Sequence, residues 1–306
     1  MTGARVRVPA TAANLGPGYD SFGLALDLHN TFEATPADGW KVEFARADNA
    51  GLPADERNPV VRAMQRAYRE LGRAEVPARL VCDNAVPTGR GLGSSAAAIV
   101  GGLMLGAALC DARFACDELV RLATAIEGHP DNVAAAVLGG FTITTTEAGV
   151  PVARSMPLAA GLAAVLAIAE EPFQTSDARD LLPQAVPHAD AAFNASHAAV
   201  LTAGLLTGNA GWISDGLHDR LHEQYRESAL PGFDGVARAL VTAGAAGAVL
   251  SGAGPTVLAL VTAADDEQAL AGAREVARSA AGPVAAAGAY RAPVAVSIDR
   301  RGAVLG

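Results

Sequence analysis

The sequence predicts an α+β fold in two domains, and three observations carry that prediction. Strand-like and helix-like segments follow one another without a steady βαβ rhythm, which favours layered sheets and helices over a doubly wound parallel sheet. At 306 residues the chain exceeds the size one hydrophobic core usually serves. Turn residues gather around 149–157, so the division falls at 1–155 and 156–306.

Residues 5–8 alternate and read as a strand that ends at Pro9, and 41–44 read as a second. Val60, Val61, Met64, Ala67, Tyr68 and Leu71 recur at helical spacing. The apolar run 78–86 reads as a strand and 94–110 as a buried helix. The apolar part of that helix, 96–110, contains three glycines and is too short to span a bilayer. Leu119, Leu122, Ala123 and Ile126 mark another helix. Residues 132–138 form a short one, broken by Gly139 and Gly140 before a strand at 141–145. Further on, 162–169 reads as an apolar strand, and 191–206 and 233–242 read as helices. Two strands, 248–251 and 256–261, flank a Gly-Ala-Gly-Pro turn, and a helix at 265–280 precedes a last strand at 294–298.

The most informative stretch lies between a predicted strand and a predicted helix: Pro87, Thr88, Gly89, Arg90, Gly91, Leu92, Gly93, Ser94, Ser95, Ala96 and Ala97. Its three glycines permit φ > 0 and close approach to a ligand. The first N–H groups of a helix starting near Ser94 have no partner within the helix. Together with the helix dipole they form an anion site, so the segment reads as a phosphate cradle. A structural glycine turn is the plain alternative. A P-loop is excluded, because it needs a lysine after the last glycine and the only lysine is Lys41. The dinucleotide pattern fits Gly91, Gly93 and Ala96, but its acidic residue is then Asp111, between two helical patterns and poorly placed to hold a ribose. A nucleophile elbow G-x-S-x-G is absent.

A formal charge of −9 argues against nucleic acid and anionic membrane as partners. Phosphates must then be met by local backbone donors and a few arginines. Cys82, Cys110 and Cys116 are odd in number and lack metal spacing, so they read as reduced, mostly buried thiols of a cytoplasmic protein. No signal-peptide pattern opens the chain.

Four more clusters carry polarity and glycine beyond what packing asks for. Asn14 and Asp20 sit in a Gly/Pro-rich loop, where they serve either as turn and cap residues or as ligand contacts. Glu127-Gly-His129-Pro-Asp-Asn132 falls between two helices; its glutamate suits Mg²⁺, and no zinc set surrounds the histidine. Thr175 shares a polar segment with Arg179, and Arg179 with the later Arg226 supplies planar forks for a carboxylate. Arg226 is flanked by Glu223 and Glu227, so a helical ion pair is its alternative. Gly252 and Gly254 lie between two buried strands and allow either close backbone approach or a plain hairpin.

In this order the segments resemble the GHMP family of small-molecule kinases, and within it the homoserine kinase branch. Residues 87–97 match the family's P-x-x-x-G-L-G-S-S-x-A motif at every fixed position, and 251–256 match its C-terminal glycine motif. The resemblance implies an N-terminal α+β domain with a left-handed βαβ crossover and a ferredoxin-like C-terminal domain, with the active site between them. It implies ATP held by residues 87–97, Gly252 and Gly254, with Asn58 at the adenine. Mg²⁺ would be held by Ser94 or Ser95 and Glu127. The amino and carboxylate groups of L-homoserine would be read by Asn14, Asp20, His129, Asn132, Thr175, Arg179 and Arg226. The reaction implied is phosphoryl transfer to the homoserine side-chain hydroxyl, for threonine synthesis, with Asp20, Asn132 and Arg179 nearest the chemistry. Homodimers are usual in the family. One departure stands out: Glu127-Gly128 abuts His129, where the branch allows several residues between them. Another GHMP kinase, a Rossmann oxidoreductase and a ligand-sensing relative without turnover are the competing readings.

Overall fold

The computed structural model describes residues 3–46, 52–173 and 175–306, with only the backbone at 175. Strands β1 (Ala4–Ala13) and β2 (Phe22–Pro36) form a long antiparallel pair at the centre of the fold. The sequence pattern stops β1 at Pro9 and misses β2. At Pro9 the register shifts: Pro9 lies opposite His29, but Ala10 lies opposite Leu26. This bulge accommodates a residue that has no N–H for the ladder. The opening of β2 escapes detection because its first five residues are all buried, which erases the alternation of a half-buried strand.

Next come β3 (Lys41–Phe44), α1 (Pro59–Glu70) and β4 (Ala78–Asn84), a β–α–β unit whose two strands are parallel. Asn58 caps α1 by accepting the Val60 N–H at 2.9 Å, and Pro59 sits at the first helical position. Helices α2 (Ser94–Ala108), α3 (Cys116–Glu127) and α4 (Asp131–Leu138) follow, then the hairpin of β5 (Phe141–Glu147) and β6 (Val150–Met156). The segment expected to be a boundary turn is therefore mostly strand, and the turn itself is at Ala148 and Gly149, both with φ > 0.

The second sheet is antiparallel and four-stranded, built from β7 (Leu162–Ala167), β8 (Gly247–Leu250), β9 (Val257–Thr262) and β10 (Val294–Ser297) in the order β10-β7-β9-β8. Its helices α9 (Phe233–Thr242) and α10 (Asp266–Ala286) complete a ferredoxin-like arrangement. Between β7 and α9 run α5 (Thr175–Asp180), α6 (His188–Thr207), α7 (Ala210–Gly216) and α8 (Glu223–Arg226). Three of these are too short to show a helical period. The chain ends in β11 (Val304–Leu305), which pairs with β1 and makes the first sheet seven-stranded.

Three apolar clusters hold these layers. One lies between the first sheet and α1, α2 and α3, and another between the second sheet and α9 and α10. The cluster between them joins the halves: Leu15, Leu24 and Leu26 pack with Leu162 and Leu166 of β7, and with Leu201 and Ile213. Cys82 is buried in the first cluster, which pushes its thiol up to about 12, whereas Cys116 is exposed, against the expectation of buried thiols.

Helices α1 and α2 touch through backbone. A Cβ on Gly102 would lie 2.4 Å from the Val60 carbonyl oxygen, and one on Gly106 2.8 Å from that of Met64. This contact sets Asn58 beside the start of α2. Gly102→Val should therefore lower the urea midpoint, because overpacking costs about 1–3 kcal/mol and valine recovers little helix propensity relative to glycine. An unchanged midpoint would refute the close approach.

Candidate active site

A cavity of about 670 Å³ opens between the two sheets' layers and gathers all five polar segments. The loop after β1 contributes Asn14 and Asp20, and the turn from α3 to α4 contributes Glu127, His129 and Asn132. Arg179 enters from α5, Arg226 from α8 and Gly252 from the β8–β9 turn. The floor is the glycine loop from Gly89 to Ser95.

Gly93 caps α2 in the left-handed conformation, φ 67°, and no side chain satisfies the helix end. The first amide to bond back is that of Ala97, to the Gly93 carbonyl at 2.9 Å. Among the described residues the N–H groups of Ser94, Ser95 and Ala96 have no partner, so the positive end of the helix faces the cavity. The loop is wedged from both sides. A Cβ on Gly93 would lie 1.9 Å from Thr11 Oγ1, and one on Gly91 would lie 2.2 Å from the Ser251 carbonyl oxygen. Ser251 Oγ donates to the Gly91 carbonyl at 2.6 Å, and the Gly252 N–H to that of Ala13 at 3.0 Å.

The remaining loop residues divide by what their side chains touch. Arg90 donates to the carbonyls of Thr88 at 3.0 Å, Ala169 at 2.9 Å and Glu170, so its guanidinium latches the loop to the segment after β7. Leu92, Ala96 and Ala97 are buried in apolar clusters; of the three only Leu92 lines the cavity, and the two alanines line neither it nor its neighbour. Pro87 and Gly254 line neither this cavity nor its neighbour; Gly254 packs against Gly91 from behind. The neighbouring pocket, about 180 Å³, shares Gly89, Ser94 and Ser95 with the main cavity. Phe32, Asn58 and Thr88 line it. An apolar and amide-lined recess beside an anion cradle suits a nucleobase.

On the acidic side, Ser95 Oγ donates to Glu127 Oε2 at 2.7 Å. Gly128 ends α3 with φ 92°, and the short link to His129 still lets Glu127 reach the glycine loop. His129 Nδ1 lies 3.1 Å from Asp131 Oδ1. That hydrogen bond raises the imidazole's pKa, against the opposing effect of burial. Ser94, Ser95 and Glu127 form an all-oxygen donor set at the open helix end, which fits a hard divalent cation carried on phosphate oxygens.

The opposite wall carries paired charges. Asn14 and Asp20 both adopt positive φ, and the Asn14 Oδ1 accepts the Asp20 N–H at 3.0 Å. Arg179 grips the Asp20 carboxylate at 2.7 and 3.1 Å and donates to Tyr19 Oη at 3.1 Å. Arg226 is 2% exposed. Its Nε donates to the Ala178 carbonyl at 3.3 Å, and its Nη1 to His222 Nδ1 at 3.0 Å and the Gly252 carbonyl at 3.3 Å. Nη2 has no partner among the described residues. The helical ion pair does not form: Glu223 accepts the Leu250 N–H at 2.7 Å, and burial pushes its carboxyl up to about 8. The side chain of Thr175 lies outside the described residues.

Sequence reading missed three partners. Thr11 is fully buried and donates to Asn132 Oδ1 at 2.7 Å. Asp131 orients His129 and accepts the Asn132 N–H at 2.7 Å. The guanidinium carbons of Arg179 and Arg226 each lie 5.8 Å from the ring centre of Tyr19. All three fall inside the segments singled out, and Asp131 was readable there as a carboxylate two residues from a histidine.

Comparison with known proteins places the chain in a family. The family model described as GHMP kinases N terminal domain matches residues 58–140, and that described as GHMP kinases C terminal matches 201–279. A homoserine kinase from Streptomyces coelicolor is 44% identical over 274 residues, 88% of each chain. One from Desulfitobacterium hafniense is 36% identical over 301 residues, 98% of this chain and 99% of its own. The crystal structure of homoserine kinase from Cytophaga hutchinsonii superposes with a TM-score of 0.87 at 28% identity, covering 100% of this chain and 98% of that one. L. major mevalonate kinase, in complex with R-mevalonate, shares the fold at a TM-score of 0.74 and 15% identity, covering 99% and 97%.

Glu223 provides a pH test of the buried wall. Its folded pKa, about 8, lies above the ordinary 4.5. The unfolded chain therefore ionises first, and stability falls as pH rises from 4.5 to 8. Glu223→Gln should flatten that slope, seen as a smaller Tm difference between about pH 5 and about pH 8. An identical difference in both proteins would place the carboxyl in water.

Proposed function

We propose that this chain, which belongs to the GHMP kinase family, is a homoserine kinase that transfers the γ-phosphoryl group of ATP to the side-chain hydroxyl of L-homoserine. The observation that carries the reading is the charge arrangement beside the phosphate cradle. One carboxylate and one guanidinium hold each other, and a second, buried guanidinium presents an unpartnered edge. An α-amino acid brings both charges at once. Its ammonium replaces Arg179 on Asp20, and its carboxylate engages Arg179 and the Nη2 of Arg226, so no buried charge is left uncompensated. The homoserine kinase relatives, 36–44% identical over most of the chain, support the same substrate.

In this reading the amides at the start of α2 and the loop from Gly89 to Gly93 hold the phosphates of ATP, and the recess at Asn58 takes the adenine. Ser94 or Ser95 and Glu127 would hold Mg²⁺, which neutralises charge on the β- and γ-phosphates when bound. Asn132, fixed through its Oδ1 by Thr11, has no partner for its amide N–H₂ among the described residues and can turn it to the hydroxyl or a phosphate oxygen. Asn14 holds the Asp20 loop, and Thr175 and His129 complete the amino-acid subsite. Lys41 pairs with Glu43 on β3, outside the cavity, so no Asp–Lys base is formed. A loose transition state needs little base assistance, and positioning with charge neutralisation supplies the rate. We also retain the division into units 1–155 and 156–306, and a cytoplasmic homodimer that binds neither nucleic acid nor membrane. Among the described residues no helix is long and apolar enough to cross a membrane.

ADP release with Mg-ATP and L-homoserine, D-homoserine, L-serine, mevalonate or galactose tests the reading directly. Turnover with L-homoserine alone is expected, and turnover with mevalonate or galactose instead would overturn the substrate. Arg226→Ala removes charge-assisted hydrogen bonds worth about 1.5–3 kcal/mol, so the KM for homoserine should rise about 10- to 100-fold with the KM for ATP unchanged. Glu127→Gln should lose turnover most at limiting Mg²⁺, and an unaltered Mg²⁺ dependence would remove it as a ligand.

A further inference from the structure

We infer that His222 is a positioning residue that sets the guanidinium of Arg226 for the substrate carboxylate, acting as a neutral ring with its proton on Nε2. The inference rests on the reading of Arg226 as a carboxylate contact and adds a residue that does not touch the cavity. His222 is fully buried, and both ring nitrogens are engaged. Nε2 lies 2.8 Å from the Gly16 carbonyl oxygen and Nδ1 lies 3.0 Å from Arg226 Nη1. A carbonyl only accepts and a guanidinium only donates, so one tautomer alone satisfies both contacts. The proton must sit on Nε2, and Nδ1 must offer its lone pair.

The groups facing the ring agree. Asp219 Oδ1 is 3.7 Å from Nε2 and would favour a second proton. Its carboxylate is already engaged by the N–H groups of Leu221, His222 and Glu223 and by the Asn194 amide. Burial and the Arg226 charge act the other way, and the net pKa of His222 is lowered, with burial the leading cause. Asp20 also favours protonation, as the last of the causes acting on the ring, and the Tyr19 ring lies 5.4 Å away.

The consequence for Arg226 is geometric. Nη1 makes its shortest hydrogen bond with His222 and a longer one with the Gly252 carbonyl, and Nε reaches the Ala178 carbonyl at 3.3 Å. Those three acceptors fix the guanidinium plane and leave the Nη2 edge towards the cavity. Through Nε2 the same ring holds Gly16, in the loop that carries Asn14 and Asp20. That loop cannot retreat, because a Cβ on Gly16 would already lie 2.3 Å from the Leu217 carbonyl oxygen. A single imidazole thus ties the loop that reads the ammonium to the arginine that reads the carboxylate.

Two near-isosteric variants separate the bonds. His222→Asn keeps an acceptor at the Nδ1 position and loses the donor to Gly16. His222→Gln keeps a donor at the Nε2 position and loses the acceptor to Arg226. The Gln variant should raise the KM for homoserine about tenfold, the effect of one hydrogen bond to a charged donor, with the KM for ATP and kcat near wild type. The Asn variant should recover most of that loss. Equal KM values in the two variants, or a matching rise in the KM for ATP, would reduce His222 to a packing residue. If either variant does not fold, the ¹⁵N spectrum of the wild-type ring decides: a protonated Nε2 and an unprotonated Nδ1 at about pH 7 are expected, and the opposite tautomer or a doubly protonated ring overturns the inference. Wild-type protein that releases no ADP with L-homoserine removes the kinase reading and this inference together. Activity with indistinguishable Asn and Gln variants removes the inference alone.

Discussion

Three segments meet with nothing larger than a hydroxyl side chain between them, and the cleft exists because they do. The end of β1 bonds to the glycine loop through the Thr11 N–H and Leu92 carbonyl at 3.1 Å. The β8–β9 turn bonds to β1 through Gly252 and Ala13, and to the glycine loop through Ser251 and Gly91. Any Cβ at Gly91 or Gly93 would displace a backbone or hydroxyl oxygen by more than an ångström relative to ordinary contact. Strands from two different sheets therefore converge on one loop, and both halves of the chain are needed to form the cavity floor. The apolar cluster between the sheets holds this convergence in place.

Upon that frame the site handles its charges by keeping them in reserve. A buried guanidinium is costly unless its donors are satisfied, and Arg226 satisfies three of its N–H directions with neutral acceptors: two carbonyls and an imidazole. Glu223 is close in sequence and yet withheld, because burial favours its neutral form and its carboxyl is turned to Leu250. Had it ionised beside Arg226, the positive charge would be neutralised before any ligand arrived. Arg179 and Asp20, both partly exposed, serve as each other's counter-ion, and in the proposed reading a zwitterion would separate them. Both solutions favour a ligand with two opposite charges over one with a single charge.

Much of this was legible from residue order alone. Helix α2 and its glycine loop announce themselves because glycine spacing, paired serines and a following alanine run agree at every level. Glu127 and His129 of the α3–α4 turn were visible because a polar cluster interrupts two helical patterns there. The opening of strand β2 was not, since five successive buried residues leave no alternation to detect; the alternation of its second half, residues 30–35, was overlooked. Strand β6 was hidden by turn residues at both ends, which look like a boundary whether or not a strand runs between them. The environments of Arg226 and Glu223 were beyond sequence altogether. Three residues apart on a helix, they suggest an ion pair, and only the tertiary position of Leu250 redirects the glutamate. Arg90 is the mirror case: its place in a phosphate motif suggests an anion contact, while the carbonyls of residues 169 and 170 claim its guanidinium.

That latch bears on how the two subsites work together. Arg90 and the Phe173 N–H, which donates to the Gly89 carbonyl at 2.8 Å, fasten the glycine loop to the segment leading into α5. Arg179 is carried on that helix. In the proposed reading, a phosphate on the loop amides and a carboxylate on Arg179 would be held by parts of the chain already joined through Arg90 and the Phe173 N–H. An acidic chain with a single lysine can in this way assemble a site for two anionic groups from backbone amides and a few arginines. The requirement is rigidity: dipoles and forks fixed in advance by tertiary contacts need little reorganisation when a charged ligand arrives.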